Sequence, residues 1–266
     1  MSKATKSDAA EQVTELQTVE TRELAISSKK VGRGFENVNF EEVTMPRAKL
    51  LQSNSPEVAD RDYNFRAGDL VHTLLMEKIP EKFIPISIWT GNILFVPRAE
   101  EKKPAFKALL GLSDEEMQGM VICRALDGKT GERYGSCEKC GKHKFNGAEK
   151  PLCTETINVL AVPFTEPDEL GLPVVVQFSN TSFKHGKKFR DAAFYSSFGG
   201  DLFSKVYKLE AFEAAGNGNR WYEVKVKPAG IVPETLLSRV EEMYMSFADK
   251  IVVVEDSDET VESVDY

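Results

Sequence analysis

The 266-residue chain holds only three histidines, two tryptophans and four cysteines. So few histidines leave no His-centred catalytic set to assemble, and neither a G-x-S-x-G nucleophile elbow nor an H-E-x-x-H pair occurs. An enzyme is therefore not expected. Long apolar runs are missing too: stretches such as Leu172 to Val176 and Ile251 to Val254 fall far short of the roughly 20 residues a membrane-spanning helix requires. The N-terminal MSKATKSDAAEQ has no apolar stretch of signal-peptide type, which predicts a cytoplasmic protein with no membrane partner. There is no excess of base, with 34 Lys and Arg against 42 Asp and Glu and a net charge of -8. That excludes a uniformly basic nucleic-acid coat.

The acid is concentrated at one end. Between Asp249 and Tyr266 stand seven acids and one base, Lys250, a net of -6 that leaves -2 for the other 248 residues. A nearly neutral body can carry a basic face that such a tail partly masks. Residues 1 to 34 form the opposite kind of segment, without an aromatic residue before number 31 and with acids and bases in balance over the first 30. They read as a disordered leader. The expected organisation is a leader over 1–34, a folded domain over 35–248 and a disordered acidic tail over 249–266.

Within the domain, Phe83 to Trp89 and Ile93 to Val96 read as two strands around a Thr90-Gly91-Asn92 turn. Ser113 and Glu116 make a capping box that predicts a short helix from Asp114 to Val121. Further strands are expected at Thr156 to Pro163, Pro173 to Phe178, Ser204 to Phe212 and Trp221 to Lys227, the last two joined by the Gly216-Asn217-Gly218-Asn219 turn. After Pro233, apolar residues at helical spacing from Leu236 to Phe247 predict a closing amphipathic helix. Five or six short strands with two or three helices indicate a mainly β, α+β fold, a small antiparallel barrel of oligonucleotide-binding (OB) type.

All four cysteines fall between Cys123 and Cys153, in the order C-x13-C-x2-C-x12-C. The pair Cys137-Glu138-Lys139-Cys140 is followed by Gly141, and this two-residue spacer lets both sulfurs reach one tetrahedral ion while backbone amides point at the thiolates. The pattern predicts a structural Zn2+ in a ribbon-like insertion over about 123–153, with Cys123, Cys137, Cys140 and Cys153 as ligands. His143, three residues after Cys140, is the alternative to Cys123 as the fourth. The nearby Asp127-Gly128-Lys129-Thr130 is not a phosphate loop, because Cys123 stands where that loop requires glycine.

From Phe178 to Lys208 aromatic residues alternate with bases, and only Asp191 and Asp201 oppose them. Cations follow a phosphate backbone and exposed rings stack on unpaired bases without reading sequence. The candidate DNA-binding residues are Phe183, Lys184, Lys187, Lys188, Phe189, Arg190 and Tyr195, whereas Phe194, Phe198 and Phe203 are expected in the core.

The blocks MPRAKLLQSNSPEV, GDLVHTLLMEKIPEKFIPISIW, ICRALDGKTGERYGSCEKCGK and PLCTETINVLAVP resemble a family of bacteriophage proteins found among replication genes and associated with single-stranded DNA. The likeness covers roughly residues 40 to 245. The wider plan of OB-like body, zinc excursion and acidic tail is similar to phage single-stranded DNA-binding proteins of the T-even type. The resemblance implies a protein of the bacterial host cytoplasm that coats and protects DNA during replication or recombination, a homo-oligomer being compatible with that role. The chain ends on Asp265 and Tyr266, similar to tails that dock replication or recombination partners. The alternative is a zinc-stabilised phage adaptor or regulator that binds a host protein without touching DNA.

Overall fold

A computed structural model describes residues 43–95 and 121–248, apart from 166, 168, 198, 199 and 217. The expected leader and tail lie outside these residues, as does the helix expected at 114–121 except for Val121, which opens a strand. In chain order the elements are β1 (Ala48–Leu50), α1 (Pro56–Ala59), β2 (Leu70–His72), β3 (Glu77–Lys78), β4 (Lys82–Phe95), β5 (Val121–Ala125), β6 (Thr130–Gly131) and β7 (Gly135–Ser136). There follow α2 (Cys137–Cys140), β8 (Cys153–Thr165), β9 (Glu169–Leu170), β10 (Val174–Phe178), α3 (Phe183–Ser196), β11 (Lys205–Gly216), β12 (Asn219–Ile231) and α4 (Glu234–Phe247).

The main sheet runs β10-β8-β4-β11-β12, with β5 added to β4 and β9 to β8, and every ladder in it is antiparallel. Its axis is the long pairing of β4 with β8, from Phe83 opposite Pro163 to Leu94 opposite Cys153. The Thr90-Gly91-Asn92 stretch is not a turn but the middle of one continuous 14-residue strand. Gly91 is there for space: a Cβ on it would lie 2.9 Å from Thr156 Oγ1 and 3.0 Å from Asn158 Nδ2 on the neighbouring strand.

Both faces of this sheet are apolar, as they must be when strands are covered on both sides. On one face Ile84, Ile86, Leu160, Val162 and Phe164 pack under Leu236 and Val240 of α4. On the other, Phe83, Ile157, Val159, Ala161 and Phe178 pack under Phe189 and Ala193 of α3 and beside β1 and β2. The α4 helix falls where the spacing after Pro233 predicts it.

The fold is thus mainly antiparallel β with a few helices. Among the described residues no ladder joins β12 to β10, so the path is open where a closed barrel was expected. The segment from Pro46 through β1 to Gln52 touches both edges instead. Val175 of β10 donates its N–H to Pro46 O at 2.8 Å, while the Gln52 side chain exchanges two hydrogen bonds with the Tyr222 backbone of β12 at 2.7 and 3.0 Å. No described helix is long and apolar enough to cross a membrane.

The α3 helix approaches the sheet through Gly186, where a Cβ would lie 2.5 Å from Phe178 Cβ and 3.1 Å from Ile157 Cβ. Alanine is the better helix former by about 1 kcal/mol, but crowding a packed contact costs about 1–3 kcal/mol. Gly186→Ala should therefore lower the unfolding free energy in a urea titration. Equal or greater stability would contradict this packing.

Candidate nucleic-acid interface and cysteine cluster

The basic aromatic stretch is helical, which sorts its residues by face. Gly186, Phe189 and Ala193, at spacings of three and four, are buried against the sheet. Phe189 is only 4% exposed and meets Phe83 and Tyr207 edge-on, with ring centroids 6.0 and 4.9 Å away, so it is a core residue and cannot stack on a base. Phe183 is half-buried in the same cluster. Arg190 is engaged by its neighbour, with Nε and Nη2 3.1 and 3.0 Å from Asp191 Oδ1.

Lys184, Lys187, Lys188, Asp191 and Tyr195 recur at i, i+3, i+4, i+7 and i+11 and share the exposed side. Tyr195 is 74% exposed, and beside it Phe194, expected in the core, is 67% exposed with its ring 5.7 Å from that of Tyr195. Sequence reasoning missed Phe194 because it weighed composition; the 186, 189, 193 period would have placed that ring outside. Phe203 does join the core, whereas Phe198 lies outside the described residues. Lys205 Nζ donates to Ser196 O at the C-terminal end of α3.

At the opposite end, the Glu223 carboxylate of β12, 1% exposed, anchors α3. It accepts from Trp221 Nε1 at 2.8 Å, lies 2.8 Å from His185 Nε2 and pairs with Lys184 Nζ at 3.2 Å. Burial by itself pushes the Glu223 pKa up; the hydrogen bonds from Trp221, His185 and Lys184 outweigh it and hold the carboxyl below its ordinary 4.5. Lys184 is thereby spent partly on structure. Lys187 and Lys188 enter no ion pair among the described residues. His72 is buried and accepts from the Leu74 and Leu75 amides through Nδ1 at 3.3 and 3.2 Å, a structural histidine.

The four cysteines are brought together at the far end of the β4–β8 pairing. Cys123 on β5 and Cys153 on β8 both stand opposite Leu94, one on each side of β4, so their side chains share a face. Cys137 and Cys140 bound the single turn α2, which ends on Gly141 at φ 72°, a left-handed conformation that glycine adopts without strain. The turn is tied back at both ends, Cys137 N–H donating to Lys129 O at 2.7 Å and Cys153 N–H to Lys142 O at 3.1 Å. Burial first, then the neighbouring thiols Cys140, Cys123 and Cys137, push the Cys153 thiol up to about 11. Cys137 is raised by burial and then by Cys123 and Cys140, with a hydrogen bond from the Gly131 amide acting the other way. No disulfide links them. The residues Asp265 and Tyr266 lie outside the described residues.

These features define an α+β protein built around one main antiparallel sheet, carrying a cationic, aromatic helix face and a cluster of thiols. The family profile described as Pam3 phage gp34-like protein matches residues 17–252, and the chain belongs to this bacteriophage family. No curated protein and no solved structure matches it.

A carboxyl with a lowered folded pKa stabilises the fold fully above its ordinary value and loses that contribution as pH falls through the lowered one. Glu223→Gln should therefore cost about 1.5–3 kcal/mol of stability at pH 7, the range for hydrogen bonds to a charged group. Denaturation curves of the two proteins should converge as pH drops below 4.5. A gap that stays constant down to acid pH would refute the role given to the ionised carboxylate.

Proposed function

We propose that the chain binds single-stranded DNA, coating and protecting it during phage replication or recombination, and that the outward face of α3 is the contact surface. The observation that carries the reading is the exposed stripe in which Lys187 and Lys188, free of ion pairs among the described residues, stand on the same helix side as the Phe194–Tyr195 ring pair. Cations and open rings on one rigid element suit phosphates and unstacked bases together. The lysines of the β11–β12 hairpin offer less, since Lys208 is paired with Glu81, and Lys225 and Lys227 with Glu210. The reading uses the sheet as a scaffold beneath α3, unlike an OB fold, in which the strands and loops themselves contact the nucleic acid. It treats the tail over 249–266 as a competitor for that face, with Asp265 and Tyr266 docking replication or recombination proteins.

Fluorescence anisotropy with a poly-dT oligonucleotide tests this. Lys187→Ala and Lys188→Ala should each lower the slope of log affinity against log salt by roughly 0.7. Phe194→Ala and Tyr195→Ala should each cost about 1–3 kcal/mol if the ring stacks on a base. Equal affinity for duplex, or binding indifferent to salt, would count against this surface, and no measurable binding would favour the adaptor reading.

Deleting residues 255–266 should raise affinity at low salt, the gain shrinking as the screening length falls to ~8 Å at physiological ionic strength. If affinity does not move, the tail does not compete for the face.

A further inference from the structure

The thiol cluster stands apart from α3 and carries an inference that does not depend on DNA binding. Cys123 and Cys153 are fixed by two ladders that flank β4, and Cys137 and Cys140 are carried over the same face by a turn tied down at both ends. All four line one small cavity of about 20 Å³, together with Tyr134 and His143. That is room for a single ion and too little for an organic ligand. Gly131 forms its wall: a Cβ there would lie 2.7 Å from Cys123 Sγ, so only glycine lets this sulfur in. Among the lining residues, Tyr134 Oη and His143 Nδ1 are buried with no hydrogen-bond partner, groups able to donate to the sulfurs of a negatively charged thiolate site.

Among the described residues no three such side chains are already drawn up as metal ligands, so closure falls to rotation of the cysteine side chains on a fixed backbone. The soft sulfur donors, their number and the glycine after Cys140 fit a tetrahedral thiophilic ion better than any oxygen-seeking one. The fourth ligand follows from the register. Cys123 is held by its strand across β4 from Cys153 on the same face, with Gly131 clearing its approach, whereas His143, which also lines the cavity, is carried by the loop beyond the left-handed Gly141.

We propose that Cys123, Cys137, Cys140 and Cys153 hold one Zn2+ as a closed tetrathiolate site, with His143 outside the ligand set. Each thiol gives up its proton as the ion enters, and four protein ligands leave no position for substrate or activated water. The metal's work is structural. It pins the chain from β5 to β8 onto the end of the sheet, where hydrogen bonds and little apolar packing otherwise hold it.

Elemental analysis and X-ray absorption on the full-length protein, dialysed against metal-free buffer, decide the matter. The expected result is one zinc per chain with four sulfurs at ~2.3 Å, retained unchanged in His143→Ala. Cys123→Ser should lose the metal or one sulfur from the shell; should that variant fail to fold, the wild-type shell and His143→Ala still decide. Absence of stoichiometric metal, iron in place of zinc, or a shell of three sulfurs and one nitrogen that His143→Ala alters would each overturn the proposal.

Discussion

The antiparallel pairing of β4 with β8 is the constraint on which the rest depends. Two strands of 14 and 13 residues run side by side, buried on both faces for most of their length. A sheet buried on both sides needs two covers, because exposed apolar faces of this size are not stable in water. The chain supplies α4 for one face, and α3 with the β1–β2 pair for the other. At the far end, around Leu94 and Cys153, the strands leave the two main apolar clusters, and Leu94 and Ile122 form a small separate one. The cysteines are gathered at that end.

Position on this scaffold also decides which side chains are available to a partner. The close approach through Gly186 turns Phe189 inward and, by helical geometry, turns Lys187, Lys188, Phe194 and Tyr195 outward. The buried Glu223 fixes the other end of α3 by drawing His185, Lys184 and Trp221 to one carboxylate, so the outward face belongs to an anchored element rather than a loop.

Much of the sheet was legible because its strands are apolar runs bounded by turn residues, and the four later strands and α4 fall where the patterns put them. Gly91 misled because glycine between polar neighbours reads as a turn, whereas here it admits Thr156 and Asn158 across the strand pair; nothing local distinguishes the two uses. The helix at Phe183–Ser196 was obscured by its composition, although Gly186, Phe189 and Ala193 already carried the period. The clustering of the cysteines was plain in the sequence. That Cys123 and His143 both come to one cavity with the other three was not, since the place of Cys123 there rests on a register with Leu94 that only long-range pairing creates. Nor could closure of the barrel be read, because it depends on how the edges β10 and β12 meet the segment around β1.

The central claim is that α3 presents its outward face to unpaired nucleic acid. Photo-crosslinking the full-length protein to a bromodeoxyuridine-substituted oligonucleotide, followed by mass spectrometry of the adducts, tests it most directly. The account predicts adducts at Phe194 or Tyr195, suppressed by salt and by unlabelled single-stranded competitor but not by duplex. Adducts confined to other elements, or no adduct under conditions where the protein is folded, would contradict it.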